Sequence, residues 1–403
     1  MRTLEEKARE AKNKKAALGP DVDLDAFDVR AEEHPRLQNL GQVGQQDRDR
    51  LIQAGVDVTE ARRSGSYLQK DATAVYAGAK DEGVEVIPIK EALEKHAWAR
   101  EHYWKLLSVD VDKYTARAFT DLHDGYVIRA LPGSRAFFPV QACLYLEKQN
   151  LSQNVHNIII AEEGSELHII TGCVTAAHVS RGLHVGISEF YVKKNATLSF
   201  TMIHHWAEDM MVRPRSVGRV EEGGLFLNNY VCMKPVKSLQ MYPTTHLVGP
   251  GAVARFYSLL VGHPGSELDV GGRISLEADD TRAEIVSRAI TNGGKIIARG
   301  DIIGERAGVK GHLECRGLIL KGGEIHAIPE LKGRTEGVEL SHEAAVGKIA
   351  QEEILYLMSR GLSEDEATAT IVRGFLSVDI PGLPEGLKEQ IDQAVDLSQK
   401  SVL

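Results

Sequence analysis

Near the end of the chain a cysteine is followed 27 positions later by a histidine and then a glutamate: Cys315, His342 and Glu343. Thiol, imidazole and carboxylate are side chains that bind metals and move protons, so the question is whether they meet. In GVKGHLECRG, strand alternation sets Val309, Leu313 and Cys315 on one face and His312, Glu314 and Arg316 on the other. In the second stretch, Val338, Leu340 and His342 share a face opposite Glu339, Ser341 and Glu343. His342 and Glu343 therefore serve one site only if a bulge or a strand-to-helix turn reorients one of them. On pattern alone Cys315 reads as a small buried core residue, as do Cys143, Cys173 and Cys232. Glu343 also has a plain reading, an acid favoured near a helix N-terminus.

Other familiar chemistry is missing. The chain has no GxxxxGK[ST], GxSxG or HExxH, and the Gly-Gly-Lys at 293–295 lacks phosphate-loop spacing. His312-x-Glu314 mimics half of a zinc deaminase signature without its PCxxC partner. His204 and His205 are adjacent, so alternation turns them to opposite faces.

The elements that position these residues fall into three segments: 1–115, 116–338 and 339–403. The first is expected to be helix-rich, with LEEKAREAKNKKAAL, DRDRLIQAG and KEALEKHAWAREHYWKLL as helices and VEVIPI as a short strand. From about residue 117, for about 220 residues, short β-rich runs alternate with Gly, Asn and Asp turns. Their starts near Ser165, Ala196, Gly224, Gly251, Arg282 and Gly308 are about 25–31 residues apart, the spacing of one layer in a stack. No single layer buries its own apolar face, so a parallel β-helix fits better than an antiparallel sandwich. The last segment turns helical: KIAQEEILYLMSRG stops at Gly361, and Ser363 with Glu366 forms a capping box for a second helix. The expected fold is mainly β, a parallel β-helix core between helical N- and C-terminal regions.

Composition excludes several classes. The chain has 403 residues, 43% hydrophobic and 26% charged, and no apolar run near the ~20 residues of a membrane span. A net charge of −9 argues against a nucleic-acid surface. The charged start MRTLEEKAREAKNKKAAL is no secretory signal, and four well-separated cysteines without a CxxC argue against a disulfide framework. A reducing cytoplasm is the expected location.

Several stretches resemble the SufB/SufD family, the scaffold components of the SUF iron–sulfur cluster assembly machinery. SHEAAVGKIAQEEILYLMSRGLSEDEATATIVRGFL is similar to its C-terminal signature almost throughout. ECRGLILKGGEIHAIPEL resembles its Cys-Asp-(small)-Leu-Leu strand and Pro-Glu rung, RALPGSRAFFPVQACLYL its entry to the solenoid, HNIIIAEEGSELHIITGC its Glu-Gly-Cys rung and ATLSFTMIHHW its Gln-Asn-Trp rung. The resemblance spans about residues 45–380, and the reduced front end is similar to the single-scaffold branch. The chain departs from the pattern at Arg316 (Asp in the family), at His204-His205 (Gln-Asn) and at VTAAH after Cys173.

The resemblance implies a right-handed parallel β-helix that pairs with a second copy through the β-helix. It implies C-terminal helices that dock a separate SufC-type ABC ATPase. The chain itself is then no enzyme but a scaffold carrying a transient 2Fe–2S or 4Fe–4S cluster. By position, Cys315 matches the persulfide-accepting and cluster-ligating thiol, Glu343 and His342 match the glutamate and histidine ligands, and Cys173 matches a sulfur-entry cysteine. A nearby Arg316 or protonated His342 is expected to lower the Cys315 pKa. Implied partners are a sulfur donor (cysteine desulfurase or sulfide) and apo iron–sulfur proteins. Two alternatives from other classes are a β-helix adaptor for the ATPase without its own cluster site, and a β-helix polysaccharide lyase or hydrolase.

Overall fold

A computed structural model describes residues 2–376. Eight parallel strands lie side by side in one sheet, from Val140–Leu146 and Glu166–Thr175 to Lys310–Ile319 and Glu339–Gly347. Neighbouring turns are offset by 28 to 31 residues, as in Leu225 opposite Thr197 and Leu198 opposite Leu167. The remainder of each turn forms a second sheet, so the chain winds as a β-solenoid of eight turns and the sandwich is excluded. The winding has a visible local cause. Two residues before successive strands sit Gly164, Asn195, Gly223, Gly251, Asp280, Gly308 and Gly337, each with φ between 55° and 78°. Gly, Asn and Asp are the residues that enter this left-handed region at low cost, so the same turn recurs in each layer.

The inward face of each strand stacks on the same face of the next. Phe190, Phe200, Phe226 and Phe256 form one run of ring contacts, with centroids 4.9, 5.0 and 6.1 Å apart. In the second sheet three turns are interrupted, at Arg213-Pro214, at Tyr242-Pro243 and at Gly271-Gly272. Proline cannot donate to the ladder, so at the first two the break is written into the sequence.

The two ends differ. At the N-terminal end Gly65–Lys70 joins the eight-strand stack and is covered by an antiparallel neighbour, Thr73–Ala79. Val84–Pro88 closes the other sheet in the same way against Tyr126–Ala130. The first segment thus supplies three strands that cap the solenoid, besides helices. The expected helix over 90–107 is two short ones, Ile89–Lys95 and Ala97–His102, separated by extended His96. At the far end Glu339–Gly347 has, among the described residues, a partner strand on one side only, so the solenoid runs into the segment expected to be helical. Helices Gln351–Ser359 and Glu364–Leu376 follow, with the Ser363–Glu366 capping box formed. Val372 and Leu376 pack with Ile290 and Leu318 on the outer sheet face. Residues 377–403 of the expected C-terminal unit lie outside the described residues.

One buried carboxylate fastens the front segment to the solenoid. Glu189, fully buried, accepts hydrogen bonds from the backbone N–H of Trp104, Lys105, Leu106 and Leu107 and lies 2.9 Å from His156 Nε2. Burial opposes its charge, but His156 and the amides outweigh burial and hold the carboxyl below its usual range.

Two outcomes follow from this packing. Phe226→Ala should cost about 3–5 kcal/mol, the usual range for truncating a fully buried aromatic, read as a lower midpoint of chemical unfolding. Because the Glu189 pKa is depressed on folding, its stabilisation is complete above the unfolded value near 4.5 and is lost as pH falls through the folded value. Glu189→Gln should therefore lower the melting temperature at pH 7 and flatten its decline between about pH 5 and pH 3, where the wild type loses this contribution.

Candidate functional site

Cys315 lies on Lys310–Ile319, where alternation puts Leu313 and Cys315 in the core, as the sequence pattern requires. It is 2% exposed and lies in register between Ser287 below and Ala344 above. Burial, and then the charge of Glu314, push its pKa up to about 11, with Arg288 opposing. The expected depression by Arg316 or His342 is not found. Arg316 belongs to the opposite face, and the thiol is protonated at neutral pH.

His342 is in register with Leu313, so it shares the inward face with Cys315 one strand away. At ~4.8 Å between strands and ~3.3 Å per residue, their Cα atoms are roughly 8 Å apart. The last strand has nothing stacked on it among the described residues, so this inward-facing imidazole is exposed. Glu343 is in register with Glu314 on the outer face, its side chain 57% exposed. There a row of alternating charge crosses three strands. Arg288 Nη2 is 2.8 Å from Glu314, Arg316 Nε is 2.5 Å from the same oxygen, and Arg316 Nη2 donates to Glu343 at 3.0 Å. The two contacts to Glu314 Oε1 are within ion-pair distance but outside hydrogen-bond geometry. The strand pairs without a bulge through Gly347, so nothing turns His342 and Glu343 to one side. Within one chain Cys315 and His342 are brought together and Glu343 is not. Among the described residues no three His, Cys, Asp or Glu side chains converge as a metal site.

Cys173 is fully buried on the inward face of Glu166–Thr175, and burial pushes its pKa far up. Its neighbours reveal an arrangement that motif reading missed. Cys173 is in register with His204, and His204 with Cys232. The signal was available, since these residues are 31 and 28 positions apart, the layer repeat itself. Burial, then the charge of His184, lowers the His204 pKa well below its usual value. His204 Nδ1 is 2.7 Å from the Tyr230 hydroxyl, while Nε2 is buried without a partner, as is Trp206 Nε1. His184, His204, Asn228 and Tyr230 border an interior space of about 30 Å³, enough for one water-sized guest. His205 faces outward as expected, its pKa lowered to about 4 by burial and the charges of Lys234 and Arg50. All four cysteines are free and buried.

Comparison with known proteins supplies the family. Residues 144–375 match the family described as "SUF system FeS cluster assembly, SufBD core domain". The chain belongs to the SufBD family. An iron–sulfur cluster assembly SufBD family protein of Archaeoglobus fulgidus is 53% identical over 89% of this chain and 96% of its own length. One from Methanothermobacter thermautotrophicus is 45% identical over the full length of both. One from Pyrococcus horikoshii is 30% identical over 90% of this chain and 83% of its own. SufBD membership assigns the solenoid to iron–sulfur cluster assembly in the SUF system, and the polysaccharide lyase alternative falls away.

The burial makes a direct prediction for this SufBD chain. At pH 7.5 the native protein should show no fast-reacting thiol toward a disulfide reagent, and four after denaturation. Raising the pH toward 11 should speed alkylation of Cys315 ahead of Cys173, located by peptide mass spectrometry.

Proposed function

We propose that this SufBD protein is a cytoplasmic scaffold on which iron and sulfur, both substrates, are joined into a transient cluster at the seam of a homodimer. The observation that carries the reading is the far end of the solenoid, on which no strand is stacked among the described residues. The strand bearing His342 and Glu343 exposes one edge, and Cys315 lies a single layer beneath it. An open parallel edge is a template for another chain, and twofold pairing there doubles each residue. One thiol per chain becomes two, with two imidazoles and two carboxylates at the same seam. Thiolates suit iron–sulfur clusters, and imidazole and carboxylate hold iron less softly, which favours release to apo acceptor proteins.

Sulfur delivery needs the Cys315 thiolate. Its attack on the outer sulfur of a donor persulfide transfers that sulfur and frees the donor thiolate. With the pKa near 11 in the single chain, loading requires the end to open or pair first. A SufC-type ATPase is the proposed agent, docking on the terminal helices, where Leu355, Tyr356 and Met358 are exposed. Cys173 as sulfur entry lies five layers from Cys315, roughly 24 Å at ~4.8 Å per layer, so sulfur crosses only by way of a carrier or intermediate stops.

A second reading, an ATPase adaptor without a cluster site, is favoured by the inward orientation of Cys315. Anaerobic reconstitution with ferrous iron and sulfide separates the two. Wild type should gain charge-transfer absorption and elute as a dimer, and Cys315→Ala should lose most of the absorption while still eluting as a dimer. Equal absorption in the variant would leave the adaptor reading standing.

A further inference from the structure

A groove away from the proposed cluster site combines features that point to a ligand. It has a volume of about 530 Å³ and runs between the N-terminal strap at Ala16–Leu18, the loop around Leu106–Asp112 and the outer face of the interrupted sheet. That volume falls in the usual range for small-molecule sites.

The charges along its floor are sorted by depth. Arg215, Arg273 and Arg299 line the groove, and each is held from behind by an aspartate that solvent hardly reaches. Arg215 Nε donates to Asp112 at 2.7 Å and Arg273 Nε to Asp301 at 2.8 Å. Arg299 donates to both oxygens of Asp269, at 2.6 and 3.1 Å. Asp301 is fully buried, whereas the Arg273 side chain is 39% exposed. The carboxylates fix the guanidinium planes, and Arg273 is the most exposed of the three cations, Arg299 and Arg215 lying deeper at 20% and 10%. The Tyr242 ring, 5.5 Å from the Arg273 guanidinium, holds that plane from a further side. Arg273 commits Nε to Asp301 and lines the groove, and a guanidinium so held offers the planar donor fork that matches carboxylate and phosphate. Beside it Gln240, 2% exposed, carries a buried side-chain oxygen without a partner. Opposite stand Leu18, Leu106 and Val111, which suit the uncharged part of a ligand.

We propose that this groove binds a small, multiply charged anion, the chemistry shared by oligophosphates and polycarboxylates, with Arg273 as its main contact. Arg299 and Arg215 flank the anion, and a ligand hydroxyl meets the Gln240 oxygen. Such a ligand fastens the N-terminal strap to the solenoid wall. Three arginines face three buried aspartates, and at the rim Lys332 bridges Asp301 at 3.0 Å and Glu330 at 3.4 Å, so the attraction is local rather than long-ranged. The inference is independent of the cluster-assembly reading and concerns a different face of the solenoid.

The test is calorimetric titration and thermal unfolding of the full chain with pyrophosphate and, separately, citrate, against sodium chloride at matched ionic strength. The expected result is a saturable single site for at least one of the two anions. Pyrophosphate alone identifies an oligophosphate site and citrate alone a polycarboxylate site. Arg273→Lys keeps a cation beside Asp301 but removes the fork, and should weaken binding at least tenfold with little change in the unliganded melting temperature. Arg334→Ala, outside the groove, should bind as wild type. The proposal is overturned if neither anion shifts unfolding beyond matched chloride, or if Arg273→Lys binds as tightly as wild type.

Discussion

Every feature of this protein is subject to one constraint: each turn can bury its apolar face only against the same face of the next turn. Parallel pairing in register transmits the inward or outward sense of a residue from layer to layer without change. The phenylalanines at 190, 200, 226 and 256 therefore stack, and a histidine set among them at 204 must point inward too. The same rule divides Cys315 from Glu343, because residues of opposite parity on paired strands cannot share a face while the ladder is regular.

A stack of this kind has no natural end, and the two ends are treated differently. At the front, antiparallel neighbours and a helical segment close the sheets, and Glu189, paired with His156 inside the solenoid, binds that segment through four amides. At the back, Glu339–Gly347 leaves one edge unpaired among the described residues and its inward-facing imidazole exposed. A covered end and an open end on one solenoid give the molecule a direction. The interior keeps its thiols neutral and shielded.

Much of this is legible in the order of the residues. The repeat, the mainly β character, the turns of Gly, Asn and Asp, the Ser363–Glu366 cap, the divergent histidines at 204 and 205 and the inward sense of Cys315 all follow from local pattern. Other features are hidden there. Of the three front strands only Val84–Pro88 is legible; Gly65–Lys70 and Thr73–Ala79 pass as part of a helix-rich segment, and the strand that ties them to the stack lies far along the chain, Gly65 opposite Val140. The last strand, SHEAAVG, is rich in helix formers and is extended because Lys310–Ile319 offers it a ladder. The column Cys173, His204 and Cys232 escapes motif reading, since it is spelled in layer repeats rather than in neighbouring letters.

The sequence by itself determined the period, the turn chemistry and the face on which each side chain sits, because these are set within a few residues by backbone sterics and alternation. It also carried the family, in motifs long enough to be distinctive. Only the tertiary structure decided which residues of different turns share a column, which end stays open and how deeply each thiol is buried. Those depend on the register between strands some thirty residues apart and on desolvation by neighbours that no local window contains.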